Sequence, residues 1–484
     1  MLVRSACAVV AAVFLATGLA GPAHAASAPK DPFDLTAVGD GVSFVAGSGD
    51  HQQLWHSDGT SAGTRRLTDV HQDDGFCCVG LTPWGDRLLA EINDTDGTTA
   101  WVSDGTRTGT QPLLDIPDGS FGYWIEDVTP AGDHAYFWTG GAFDPQQVWE
   151  TDGTAEGTTS VASFAGHVDI VGVLDDSLLV AGWDGGAAPG VLDRIAADGT
   201  VTQLAELPGA AYAVEGSAGG RYYLVSGGAL FSTDGTAAGT TQVTDPGTDR
   251  IEISSPVYEV DGHALFFTYV SPTNYAAQLW TSDGTLAGTH RVTDTVFTES
   301  PRGPEAAVAG GHLVFRGSEA HPNAPALWSS DGTAEGTVRL DSPDLAHIPQ
   351  PTDFQVVDDS VYVIARDAGL RAGIFRTDGA SVTEVVPGHG DRDVALDALT
   401  VVGDSVAWTR GGGGTSHRRL WTTDGTTAGT HEIRPSRGWL GVGRDGELAA
   451  VGDRLYVAAA AKGARHATLW RSNLTTVHQV VSAR

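Results

Sequence analysis

Lysine is nearly absent: Lys30 and Lys462 are the only two among 484 residues, and arginine carries the other positive charges. Set against 60 acidic residues, this leaves a formal net charge of −32. That field repels polyanions, which excludes nucleic acid and membrane surfaces of negative charge as partners. It suits a soluble, self-repelling surface. Cysteine is scarce, with three residues in all. The 16 histidines form no His-x-x-x-His pair and no Cys/His cluster, so zinc spacing is missing. No segment carries a sustained helical period, and no second apolar span follows the N-terminal one.

The N-terminus reads as a secretory leader. Arg4 supplies the positive start, Ala6 to Leu19 the apolar run, and Ala23-His24-Ala25 the small-residue cleavage site. The run is too short and wrongly flanked for a membrane anchor. Residues 1–25 are therefore expected to be removed. Residues 26–33 form a short N-terminal segment, and 34–484 a secreted, extracellular repeat domain. The mature chain keeps the neighbours Cys77 and Cys78. Adjacent Cα atoms stand about 3.8 Å apart, whereas relaxed disulfides prefer roughly 4.4–6.8 Å. The pair is either a strained vicinal disulfide or two reduced thiols pointing to opposite faces of a strand.

What the chain has in abundance is one repeated phrase. Leu54-Trp55-His56-Ser57-Asp58-Gly59-Thr60-Ser61-Ala62-Gly63-Thr64 returns in altered form, its aspartate falling at Asp58, Asp104, Asp152, Asp198, Asp234, Asp283, Asp331, Asp378 and Asp424, then at Asn473. The steps between copies run from 36 to 49 residues. Periods in this range mark solenoids, propellers or arrays. About twenty residues before each aspartate lies a second turn rich in glycine and aspartate, such as Gly39-Asp40, Asp261-Gly262 or Gly403-Asp404. Short alternating segments flank both turns, giving four strands and two hairpins per unit. Ten such units predict an all-β propeller of ten four-stranded blades. One closed ring is expected, because no linker interrupts the spacing; two smaller propellers are the alternative.

Three residues before each aspartate stand Trp55, Trp101, Trp149, Ile195, Phe231, Trp280, Trp328, Phe375, Trp421 and Trp470. Large apolar residues at one strand position fill gaps between neighbouring blades. Exchange of tryptophan for phenylalanine and isoleucine fits packing better than a ladder of sugar-stacking rings. In the turn Asp-Gly-Thr-x-x-Gly-Thr the aspartate accepts backbone N–H bonds, glycine takes a left-handed conformation and the threonine hydroxyls tie the turn down. The turns at Asp198, Asp378 and Asn473 are shortened.

These phrases resemble the ELWxxDGT-repeat proteins, a family of secreted bacterial proteins, over nearly the whole chain from Asp34 to Val481. The glutamate of the family string is missing before every Leu-Trp here. The turn is also similar in role to the Asp-box hairpins of sialidase-like and sortilin-like propellers, the latter ten-bladed. The resemblance implies a propeller and no settled activity.

Gly59-Thr60-Ser61-Ala62-Gly63 matches a hydrolase nucleophile pattern, but other copies hold Arg107, Ala155 or Leu286 in place of Ser61. Its context is a hairpin, not a strand-to-helix elbow. Asp94-Thr95-Asp96-Gly97 lacks the ligands of a calcium loop, with Ile92 where an acid is needed. No catalytic residue and no cofactor is expected from the sequence, calcium in the channel being the one exception left open. Candidates for function are the segments that break the repeat: Phe76-Cys77-Cys78, Gly140–Gln147, Trp183–Gly190, Val270–Gln278 and Gly411–Arg418. The leading expectation is a monomeric, non-catalytic binding or scaffold protein that engages an extracellular polysaccharide, peptide or protein. A glycoside hydrolase or lyase using loop carboxylates, and a calcium-stabilised surface-assembly protein, are the alternatives.

Overall fold

The computed structural model describes residues 29–47, 51–70, 78–94, 97–116, 124–140, 145–244, 252–253, 255–271, 276–298, 305–318, 325–340, 351–366, 371–388, 394–412, 418–435, 440–442, 448–461 and 463–480. Among them every regular element is a strand. Ten antiparallel sheets follow one another along the chain, and each takes four consecutive strands as its frame. In blade 1 these are Phe33–Val38, Gly41–Ala46, Gln53–Ser57 and Arg65–Arg66.

The first strand of each blade is the innermost. Those strands are Phe33–Val38, Cys78–Trp84, Trp124–Ala131, His167–Leu174, Ala211–Ala218, Tyr258–Val260, Ala306–Ala309, Thr352–Val357, Val394–Val402 and Leu448–Val451, for blades 1 to 10. Each lies beside the next, and Leu448–Val451 lies beside Phe33–Val38, so the ten blades close one ring around a common axis. The seam is sealed by Asp31. Its amide donates to the Ala467 carbonyl at 3.0 Å, and its carboxylate takes the Ala467 amide at 2.9 Å and contacts His466 Nδ1 at 2.7 Å.

The hairpin between strands one and two opens in every blade with a residue at φ between +46° and +61°, for example Gly39, Asp175, Asp358 and Gly452. Only glycine, or an aspartate that bonds its own backbone, takes that conformation cheaply. Local sequence therefore sets each turn.

No single core exists. Ten hydrophobic clusters each join two consecutive blades. Leu265, Phe267 and Leu279 of blade 6 meet Leu313, Phe315 and Trp328 of blade 7, while Val42, Phe44 and Trp55 of blade 1 meet Ala449, Tyr456 and Leu469 of blade 10. A sheet buried on both faces needs apolar residues at successive positions, which is why second strands such as Gly41–Ala46 are buried along their whole length.

Two blades exceed four strands. Phe297–Thr298 pairs with Ala276–Ala277 in blade 6, filling an edge that the two-residue fourth strand leaves open. In blade 10, Thr476–Val477 pairs in parallel with Arg434–Pro435.

Candidate active site

Strands one and three run toward one rim of the ring and strands two and four away from it, so both hairpins of every blade share that rim. In the turn of Asp283, Oδ1 accepts the Thr285 amide at 2.9 Å and the Thr285 hydroxyl at 2.7 Å. Thr285 Oγ1 accepts the Gly288 amide, the Thr289 hydroxyl donates to the Thr285 carbonyl, and Ser282 Oγ accepts the Gly284 amide. The same aspartate bonds recur at Asp58, Asp104, Asp152, Asp234, Asp331 and Asp424. The second glycine is a steric necessity: a Cβ at Gly288 would stand 2.1 Å from the Asp283 carboxyl carbon.

The three shortened turns keep a reduced version. Asp198 accepts the Thr200 amide, Asp378 the Ala380 and Ser381 amides, and Asn473 the Thr475 and Thr476 amides. At Asp152, Asp283 and Asp424 the threonine hydroxyl, and after it the threonine amide, hold the carboxyl below the ordinary range. These carboxylates spend one oxygen on their own turn.

Each of the ten large residues sits between its own blade and the preceding one. Trp55, Ile195, Phe231, Trp280, Trp328, Phe375 and Trp470 are buried there, and Trp101, Trp149 and Trp421 are partly buried. The buried rings among them lie between sheets, away from any surface on which a sugar could stack. Residues 1–28 and Cys77 lie outside the described residues, and Cys78 opens the inner strand of blade 2. Among the described residues no group of three or more His, Cys, Asp or Glu is arranged to hold a metal ion.

The opposite rim carries different chemistry. There the inner strands begin, and several contain a bulge, as between Thr352 and Gln355 and between Asp397 and Thr400. Asp353 sits in the first bulge at φ +57° and Ala398 in the second, also at +57°. For alanine this conformation costs about 1–2 kcal/mol, and such strain gathers at functional sites.

Carboxylates pass from blade to blade at this rim. Glu305, just before the inner strand of blade 7, accepts the Asp353 amide of blade 8 at 3.2 Å. Asp353 Oδ2 in turn accepts the Leu399 amide of blade 9 at 2.6 Å. Asp397 pairs with Arg418. Burial raises the Asp353 carboxyl; hydrogen bonds from Leu399 and Gln355 oppose this, and the charges of Glu305 and Asp397 add to it. Asp34 and Asp193 are also raised, by burial alone. Of the raised carboxyl groups among the described residues, Asp353 is the one at which neighbouring carboxylates join burial. A carboxyl whose charged form is disfavoured, set beside further carboxyl groups, is equipment that acid–base catalysis uses.

Sequence reasoning did not single out Glu305, Asp353 or Asp397. It did name the segment Gly411–Arg418, whose last residue holds Asp397. A signal was available: Asp34, Glu305 and Asp353 each stand four positions before the final residue of an inner strand.

No family model matches the chain, and no curated protein matches it in sequence. Among solved structures it is similar to a prolyl endopeptidase, at 13% identity and TM-score 0.36 over 84% of this chain and 49% of that one. It is similar to a puromycin hydrolase at 15% identity and TM-score 0.37, over 91% and 60%. A eukaryotic initiation factor aligns at 11% identity and TM-score 0.46, over 75% and 90%. The chain thus spans 49% of the length of the prolyl endopeptidase and 60% of that of the puromycin hydrolase. At such values no residue role passes from them to this chain. The expectation of a non-catalytic binding or scaffold protein is corrected to this extent: two of the solved structures named above are those of enzymes, and at these values the likeness carries no activity over to this chain.

Proposed function

We propose that the protein is a secreted hydrolase that cleaves glycosidic bonds at the mouth of its channel. The observation that carries this reading is Asp353, a half-buried carboxyl raised in the company of Glu305 and Asp397. Two carboxylates suffice for glycoside hydrolysis without a nucleophilic serine or a metal. Asp353 serves as the acid that protonates the leaving oxygen, and exposed Glu305 supplies the second carboxyl group on the neighbouring blade. Arg418 holds the Asp397 charge in place, and the bulge at Ala398 fixes that carboxylate relative to the Leu399 amide that anchors Asp353. A secreted, monomeric enzyme, possessing the leader before Ala26 and repeats resembling the ELWxxDGT family, accords with an extracellular glycan as substrate.

The test is reducing-end release from soluble polysaccharides by the wild-type protein and by Glu305→Gln. Release by wild type that drops at least a hundredfold in the variant is expected. Equal release by both would remove Glu305 from the chemistry.

A further inference from the structure

Two rings meet on the same rim at a distance from the carboxylates, between blades 4 and 5, with Trp183 at the neighbouring register position. Tyr212, the second residue of the inner strand of blade 5, is 57% exposed, one of the few large side chains left so open. Its ring centroid lies 4.8 Å from that of His167, the first residue of the inner strand of blade 4, with 44° between the planes. His167 stands directly opposite Trp183 in the sheet register, so their side chains share a sheet face. That face looks toward blade 5, because Val171 and Ala181 on it belong to the core joining blades 4 and 5. Trp183 opens the repeat-breaking segment Trp183–Gly190. Its Nε1 donates to the Ala188 carbonyl at 2.9 Å, which folds that segment back on the indole.

The polar groups at this place are not all satisfied. His167 Nε2 is buried without a hydrogen-bond partner. Asp169 Oδ2 stands 3.6 Å from it, beyond hydrogen-bond reach, and already accepts the Ala213 amide at 2.9 Å. A buried polar nitrogen left unmatched is costly unless a ligand or water completes it.

We infer that Tyr212 and His167, with Trp183 beside them in the sheet, form a sugar-binding subsite, the pyranose ring lying on exposed Tyr212 next to the His167 imidazole. A sugar fits both halves of this arrangement: its axial C–H face packs on an aromatic ring, and its hydroxyls donate or accept. The inference rests on the proposed glycoside hydrolase and adds where a second portion of the polymer is held. In this arrangement the chain of sugars spans the channel mouth from blades 4 and 5 toward the carboxylates of blades 7 to 9.

The test separates binding from turnover. Titration calorimetry with cellohexaose, xylohexaose, laminarihexaose and chitohexaose is run on the wild type, Tyr212→Ala, Tyr212→Phe, His167→Gln and Asp353→Asn. At least one hexasaccharide is expected to bind, with Kd raised about tenfold in Tyr212→Ala, retained in Tyr212→Phe and raised in His167→Gln. Asp353→Asn should leave the sugar uncleaved through the titration, so that its heat is that of binding alone. Because Tyr212 is exposed, its alanine variant is expected to melt with the wild type, which keeps a loss of binding interpretable. Unchanged Kd in Tyr212→Ala, or no binding of any of the four to wild type, overturns the subsite. Binding that depends on Tyr212 in a protein without turnover would leave the subsite standing and sink the hydrolase.

Discussion

The two rims of the ring are built from the same strands but by opposite rules. On one, seven of the ten outer hairpins repeat a fixed set of glycines, aspartate and threonines and three keep a reduced version, and the hydrogen bonds at Asp58, Asp283 and Asp424 agree to within about a tenth of an ångström. On the other, Glu305, Asp353, Asp397 and Arg418 occur in blades 7 to 9, while His167, Trp183 and Tyr212 occur in blades 4 and 5. Repetition marks what every blade needs in order to stand beside the next. Chemistry that acts at one place has no reason to recur. The direction of carboxyl shifts follows the same division. Turn aspartates, donated to by threonine, are held down, whereas Asp353, buried beside other carboxylates, is pushed up.

Several substitutions sharpen or break this contrast. Trp280→Ala removes an indole that fills the space between blades 5 and 6, and it should cost about 3–5 kcal/mol in a denaturant melt. Gly288→Ala drives a methyl group into the Asp283 carboxyl and is expected to cost roughly 1–3 kcal/mol, since the whole turn must open. Asp283→Ala should cost about 1 kcal/mol by the lost threonine bonds, reduced because the turn is open to water. If any of these three lowered turnover per folded molecule while leaving the melt unchanged, the structural reading of the repeat rim would fail.

Acid provides a gentler probe. The aspartates of the turns contribute stability that is complete above the ordinary aspartate pKa, near 3.9, and is lost as pH falls through their lowered folded values. Asp353 works in reverse: its ionised form is disfavoured in the fold, and that cost is relieved as pH falls through its raised value. The stability difference between wild type and Asp353→Asn should therefore shrink on acidification, whereas that for Asp283→Ala should shrink only below about pH 4. Thermal melts from pH 7 to pH 3 read both. Chelator should move the melting temperature least of all, because the turn carboxylates bond within their own turns.

The ring was legible because its instructions are local and repeated. Gly403-Asp404 dictates a tight hairpin wherever it stands, and Trp421 followed by Asp424 announces a strand and its turn without knowledge of any other blade. The extra strand Phe297–Thr298 was not legible: two residues carry no period, and its place depends on an edge left free by the short strand His290–Arg291. Nor was the carboxylate set. Glu305, Asp353 and Asp397 stand more than forty residues apart, and each looks like an ordinary strand-end acid until the ring brings three blades together. The subsite around Tyr212 was half visible, since Trp183–Gly190 breaks the repeat, but an exposed tyrosine in a strand gives no sign of its neighbour His167.

The central claim is that one rim holds the fold and the other does the chemistry. Its most direct measurement is a paired melt and turnover assay of Asp353→Asn at pH 7, using the polysaccharide that wild type degrades best. The account predicts a melting temperature equal to or above that of wild type, because a disfavoured charge is removed, together with a loss of turnover of at least a hundredfold. Wild-type turnover in a protein that melts far lower would contradict it, placing Asp353 among the residues that hold blades 8 and 9 together.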